Sequence, residues 1–369
     1  MAIKKYNTQK GVRYEFTEYI GINPITGKRI VIHRRGFKTN KEAQSKINQL
    51  KYEFDHGIIE QSSSDTFEKV YEQWLPLYEK TVKESTLNRT ISAFNLHILP
   101  EVGSYRISKI TPIQCQKLAQ DIAKTNKNYR KNYGYAAMVY DYAIKIGLVN
   151  TTNPFRRIIY PKNDTTAKPT PFMDKDELAI LLNCIKETGN AEMFVFFRLL
   201  AYSGMRRGEA LALTWDDIDF KELTVCINKT VTVGLKGRLY IATPKTKAGN
   251  RTIIIDPETG RILKKYYTLQ KVINIGRLVF PNTKGGIMAL SKPLKFLNTV
   301  IKKNNLKKIT VHSFRHTHCA MLFSAGVSIK AAQERLGHDD YKTTMDIYNH
   351  VMDKDRRESV QKFLEYMEG

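Results

Sequence analysis

The chain has 369 residues, with 60 Lys and Arg against 36 Asp and Glu and a formal charge of +24 at pH 7. That length points to two or three domains with ordinary cores, and the charge favours a polyanionic partner, nucleic acid first, over a merely soluble basic protein. A membrane role is disfavoured because the longest apolar stretch, Met193 to Tyr202, holds Arg198 and is too short to span a bilayer, and four scattered cysteines, Cys115, Cys184, Cys226 and Cys319, with no CxxC pair, disfavour a disulfide framework.

The excess of positive charge is spread along the sequence: +6 over residues 1–60, +7 over 61–168 and +11 over 169–369. No signal-peptide pattern opens the chain, so a reducing cytoplasm is the expected setting. Val12 to Tyr19 and Lys28 to Arg35 read as strands around the turn-forming residues 23–27, with a further short extended piece at Gly36-Phe37. Thr39 and Glu42 have capping-box spacing and predict a helix running to about Phe54. The first domain, residues 1–60, is thus expected to be a three-stranded sheet on one helix, followed by a linker at Gln61-Ser62-Ser63-Ser64.

Asp65 and Glu68 form the next cap, and Phe67, Val70, Tyr71, Trp74 and Leu75 recur with a helical period. Further helices are expected over Ser85 to Ile98, Thr111 to Thr125 and Lys131 to Ile146, the last closed by Gly147. These make a helical domain over residues 65–155. Its Lys127 to Tyr135 stretch, basic and interleaved with tyrosines, is a phosphate-contacting surface or a solvated helix face. Pro154, Pro161, Pro169 and Pro171 mark a second linker over residues 152–171. The third domain, residues 170–369, opens with a capping box at Asp174 and Glu177 and two helical patterns up to Tyr202. Strands follow at Leu223 to Lys229, Leu239 to Thr243 and Arg251 to Ile255, with Gly234, Gly237 and Gly249 at the turns, and then helices return. The expected class is mainly α with small β-sheets (α+β), in several domains.

Three blocks carry chemistry. Residues 201–213 set Arg206 and Arg207 on a glycine-bracketed turn entering a helix, where backbone N–H groups, the helix dipole and a guanidinium fork favour phosphate. In Val-His-Ser-Phe-Arg-His-Thr-His, residues 311–318, His312 and Arg315 are three apart and share one face of a helical turn. Histidine can hold or move a proton there while arginine neutralises oxygens. Exposed histidines without a role, or a metal site from His312, His316, His318 and Cys319, are the competing readings. The third block is Leu336-Gly337-His338, followed ten residues later by Tyr348. Alone, Tyr348 is one of 20 tyrosines.

Taken in order, these blocks resemble the catalytic signature of the tyrosine recombinase (phage integrase) family. The matching positions are Arg206 in Ser-Gly-Met-Arg, His312 and Arg315 in His-Ser-Phe-Arg, His338 in Leu-Gly-His, and Tyr348. The family's lysine lies in a β-hairpin turn, a place filled here by Lys245 in Thr-Pro-Lys-Thr-Lys-Ala-Gly-Asn-Arg-Thr, with Lys247 as rival. The resemblance covers about 150 residues of the last domain. More weakly, the helical segment resembles the family's core-binding domain. The first 60 residues resemble the arm-binding domain of phage and conjugative-transposon integrases.

The resemblance implies a site-specific recombinase of a bacterial host cell that cuts and rejoins DNA through a 3′-phosphotyrosine on Tyr348, without metal, ATP or cofactor. Its partners would be double-stranded DNA at core-type and arm-type attachment sites and three further copies in a tetramer, with an excisionase and a host DNA-bending protein as assistants. It also implies that the helical and catalytic domains grip opposite faces of the duplex and that a final helix, about Lys354 to Tyr366, packs on a neighbouring subunit, its own domain being the alternative. Glu209 would orient Arg206. A type IB topoisomerase and a noncatalytic DNA-binding regulator are the alternative functions.

Overall fold

The computed structural model describes residues 3–8, 11–22, 29–55, 65–126, 128–161, 172–244, 247–273, 277–337, 344–345, 347–348 and 367, with the backbone alone at 247 and 273. The chain divides into two compact units, Met1–Asp164 and Thr165–Gly369.

The first unit opens with three antiparallel strands in chain order, β1 (Lys4–Thr8), β2 (Gly11–Ile22) and β3 (Arg29–Phe37). Alternation along β2 buries Phe16 and Ile20 against Ala43, Ile47 and Leu50 of helix α1 (Asn40–Asp55), whose spacing keeps all three on one face. The sheet-and-helix plan is as read from sequence, with one correction. The third strand is Lys4–Thr8, whereas Gly36-Phe37 merely ends β3. β1 escapes sequence reading because its residues are exposed or half-buried and carry no apolar alternation. Thr39 Oγ1 accepts from the Glu42 N–H at 3.1 Å, while the Glu42 carboxylate accepts from Lys38 N–H at 2.8 Å.

The helical part holds α2 (Phe67–Glu79), α3 (Glu84–Ala93), a π-helical turn Phe94–Ile98, α4 (Leu99–Val102), α5 (Pro112–Thr125) and α6 (Tyr129–Lys145). The cap of α2 is Thr66, accepting from Lys69 N–H, one residue later than the Asp65 expectation. Aromatic side chains make the core: Tyr71, Trp74 and Phe94 cluster with centroids 4.1 to 6.3 Å apart. Tyr129, Tyr133 and Tyr135 are buried with them. Their inward orientation removes these tyrosines from any phosphate-contacting surface and leaves Arg130 and Lys131 exposed. Residues 152–161, expected as linker, pack instead. Phe155 is fully buried, Asn153 Nδ2 donates to Ala137 O at 2.9 Å, and Gln116 exchanges two hydrogen bonds with the Ile159 backbone.

The second unit surrounds a core built from α7 (Lys175–Glu187), α8 (Ala191–Ser203), α9 (Arg207–Ala212), α10 (Pro257–Ile273) and α11 (Ser291–Lys303), with α12 (Ser313–Ser324) and α13 (Ile329–Leu336) completing it. The Asp174–Glu177 capping box that opens α7 is formed in both directions, at 2.8 and 3.0 Å. Two small antiparallel sheets flank the helices: β4 (Ile218–Asp219), β5 (Thr224–Ile227) and β8 (Arg251–Ile254) in the order β4-β5-β8, and the hairpin β6 (Thr230–Val233) with β7 (Leu239–Ala242). The sequence reading covers β5, β7 and β8 but misses β4 and β6. Gly237 takes the expected positive φ at +74°, whereas Gly234 is extended. The expected final helix, about Lys354 to Tyr366, lies outside the described residues.

Candidate active site

Two left-handed glycines shape the site. Gly204 (φ +67°) ends α8, and Arg206 follows as the residue capping α9. Gly337 (φ +65°) ends α13 directly before His338. Both glycines are also sterically required, since a Cβ on Gly204 would meet Leu336 Cδ2 and His318 Cδ2 at 2.6 and 2.7 Å, and one on Gly337 would meet Ala248 O at 2.5 Å.

Arg315, on the first turn of α12, is 1% exposed. Its Nη1 donates to Gly204 O at 2.9 Å and its Nη2 to Leu336 O at 2.6 Å. Arg206 reaches the same place from α9, with Nη2 donating to Gly337 O at 3.1 Å and Nη1 to the Glu209 carboxylate at 2.8 Å. Two guanidiniums more than a hundred residues apart therefore bond adjacent carbonyls, those immediately preceding His338. Burial and the Arg206 cation push the Arg315 pKa down to about 9, which still leaves it charged at neutral pH. Arg206 is half-exposed and presents its outer edge to solvent.

Glu209 is nearly buried (4% exposed) and holds this arrangement from below. Burial alone would raise its pKa, but hydrogen bonds and charge from Arg251 and then Arg206 keep it below the ordinary carboxylate value. Its expected contact with Arg206 is present. Arg251, at the start of β8, is the partner that sequence reading missed. Its Nη2 donates to Glu209 Oε2 at 2.9 Å and its Nε to Arg335 O at 2.9 Å.

His312 precedes α12 and is exposed on its solvent side. Packing against its inner face, followed by His316, Arg315, Arg206 and Arg207, pushes its pKa down to about 4, so the ring is neutral at physiological pH. His316 lies edge-on to it, with centroids 4.7 Å apart. His318, in contrast, is built into the frame. Its Nδ1 bonds Ala201 O at 2.9 Å and its Nε2 accepts from Arg335 Nε at 3.1 Å, which commits both ring nitrogens and removes it from the alternative metal set.

Tyr348 is half-buried and packs edge-on against Phe323 of α12, with centroids 5.2 Å apart. Phe323 is eight positions beyond Arg315 on that helix, about 12 Å of helical rise. Lys245 and His338 lie outside the described residues, as does the Lys247 side chain; the Lys247 backbone opens a short 3-10 turn, Lys247–Gly249, between β7 and β8. The geometry thus joins Arg206, Arg315 and the approach to His338, places His312 at the cap of the helix that carries Arg315, and sets Tyr348 against that helix.

Residues 171–355, half of the chain, match the phage integrase family. The chain belongs to the phage integrase family. Residues 66–123 match the N-terminal SAM-like domain of phage integrases and residues 2–54 an Arm DNA-binding domain. The ICEBs1 integrase of Bacillus subtilis (strain 168) is 27% identical, with 98% of this chain and 99% of that protein aligned. The integrase of Staphylococcus phage L54a is 26% identical over 85% of this chain and 98% of its own. Among solved structures, the Tn1549 transposon integrase in complex with a circular intermediate DNA superposes with a TM-score of 0.67 at 20% identity, covering 81% of this chain and all of that one. A lambda integrase tetramer bound to a Holliday junction gives 0.57 at 16% identity, covering 93% and 94%. The phage integrase fold and the kinship of the whole chain agree: this integrase is a tyrosine site-specific recombinase.

Proposed function

We propose that this integrase binds double-stranded DNA at core-type and arm-type attachment sites and breaks one phosphodiester per protomer with Tyr348. The Tyr348 hydroxyl oxygen attacks phosphorus, the P–O5′ bond breaks, and its electron pair leaves with O5′. The bond energy is kept in the 3′-phosphotyrosine, so a 5′-hydroxyl from the partner strand reverses the step without ATP. Arg206 and Arg315 bind the nonbridging oxygens, on which charge builds in the transition state. His338 adds a hydrogen bond, Lys245 (with Lys247 as rival) protonates O5′, and His312 accepts the tyrosine proton.

The observation that carries this reading is the convergence of Arg206 and Arg315 on the carbonyls of Gly337 and Leu336. It supplies two fixed cations at one point, one of them with an exposed edge. The neutral His312 ring beside them suits a proton acceptor. Four copies would exchange strands through a Holliday junction in the cytoplasm of a bacterial host, with an excisionase and a DNA-bending protein setting direction and architecture.

The test is a nicked suicide duplex carrying an attachment site, incubated in EDTA with wild type and Tyr348→Phe. A protein–DNA adduct surviving denaturing electrophoresis with wild type alone is the expected result. An adduct with both proteins places the nucleophile elsewhere. None with either, on DNA shown to be bound, makes the chain a DNA-binding regulator, and relaxation of any supercoiled plasmid makes it a topoisomerase.

A further inference from the structure

Among the described residues Arg251 touches none to which the proposed reaction gives a role, yet its side chain is only 7% exposed and its contacts lie among the site's supports. Its guanidinium donates to both Glu209 oxygens, at 2.9 and 3.4 Å, and to the carbonyls of Arg335 and Gly249 at 2.9 and 3.4 Å. A Cβ on Gly337 would also stand 3.0 Å from its Nη1. One planar cation therefore joins three elements: α9 through Glu209, the end of α13 just before His338, and the start of β8.

Next to each of those elements in the chain stands a residue of the proposed chemistry: Arg206 before α9, His338 after α13, and the lysine candidates before β8. Glu209 grips Arg206 through both its backbone N–H, at 2.9 Å, and its guanidinium, at 2.8 Å. Arg251 itself follows Lys247 by four residues and Lys245 by six, so the strand it anchors is the one that ends the lysine-bearing connection. Resting on the proposed phosphotyrosine chemistry, we infer that Arg251 is a positioning residue. Through Glu209 it fixes the Arg206 guanidinium, and through its own backbone it fixes the far end of the lysine connection, relative to the carbonyls that precede His338.

A carboxylate this buried depends on its counter-charges. Glu209 is faced by Arg251 from β8, by Arg206 from its own helix and by the Arg315 cation from α12. Removing Arg251 leaves burial to raise the Glu209 pKa, and a protonated Glu209 no longer accepts two charge-assisted bonds from Arg206. Arg251→Gln is thus expected to lose cleavage at a higher pH than wild type, whose own acid limb is set by His312 at about 4. Arg251→Lys keeps a positive charge but cannot span Glu209 and two carbonyls at once, so it restores only part of the rate.

The experiment compares wild type, Arg251→Gln and Arg251→Lys in full-length protein by single-turnover cleavage of the nicked duplex and by equilibrium binding to it, across pH. Expected is a cleavage rate about 10- to 100-fold lower in Arg251→Gln, the range seen when a group orienting an active residue is lost. Arg251→Lys should fall between, binding should change by less than about threefold, and the acid limb of Arg251→Gln should lie at higher pH than that of wild type. Equal rates in all three overturn the inference. So does a rate loss matched by an equal loss of binding, or one without that shift of the acid limb in the folded variants. Failure of wild type itself to form the adduct would count instead against the phosphotyrosine reading.

Discussion

Only 1% of Arg315 meets solvent, and its bonds to Gly204 O and Leu336 O give one side chain a structural and a chemical task together. The two separate under substitution. Arg315→Leu strands two buried carbonyl acceptors, and unfolding titration should register a loss of about 3 kcal/mol. Arg315→Lys keeps charge but not the planar fork, so cleavage should fall by about 10² to 10³ while binding largely survives. His318 gives a second prediction at this scale. Its burial lowers its pKa from 6.5 to about 4, so between those values the unfolded chain binds a proton that the folded one refuses. Stability is then full above about pH 6.5 and is lost as pH falls toward 4, on the order of 3 kcal/mol. Denaturation midpoints from pH 7 to 4.5, roughly, should show this slope in wild type and a smaller one in His318→Gln. The phosphate-facing candidates were legible because each stands in a local string. Arg251 was not, since its partners Glu209 and Arg335 lie 42 and 84 positions away.

At the scale of elements, Gly337 ends α13 where no other residue fits. Gly337→Ala combines an unfavourable φ with a 2.5 Å approach to Ala248 O, in the turn that Lys247 opens. It should cost about 1 to 3 kcal/mol in an unfolding titration and lower cleavage more than the weaker binding explains, because both arginines anchor at residues 336 and 337. Helix starts were readable where both halves of a cap lie within three residues, as at Asp174–Glu177, or where a proline follows the cap, as at Thr111-Pro112. The short strands were less so. β1 has no alternation, and β6 is four residues of the pattern Thr-Val-Thr-Val with one buried side chain, too short a stretch to stand out beside β5. The tyrosines of α6 misled for the opposite reason, since basic neighbours disguised a core face.

For the whole molecule, the +24 charge makes the proposed DNA binding an ion-exchange process. Each phosphate neutralised releases a counterion, so affinity should fall by at least about 10³ between roughly 50 and 200 mM salt, measured by fluorescence anisotropy. A flat salt response would contradict a multi-contact grip on the backbone. Charge and motif order were readable along the whole sequence because they need no folding to be seen. The course of residues 152–161 was not, since prolines mark a break in helix while the burial of Phe155 depends on partners elsewhere in its unit. The central claim is that Tyr348 forms the covalent bond to DNA, and the direct measurement is mass spectrometry of the nuclease-trimmed, proteolysed adduct. A nucleotide remnant on the peptide containing Tyr348, joined through its 3′-phosphate, is the predicted result. A remnant on any other residue, or one joined through a 5′-phosphate, would contradict the account.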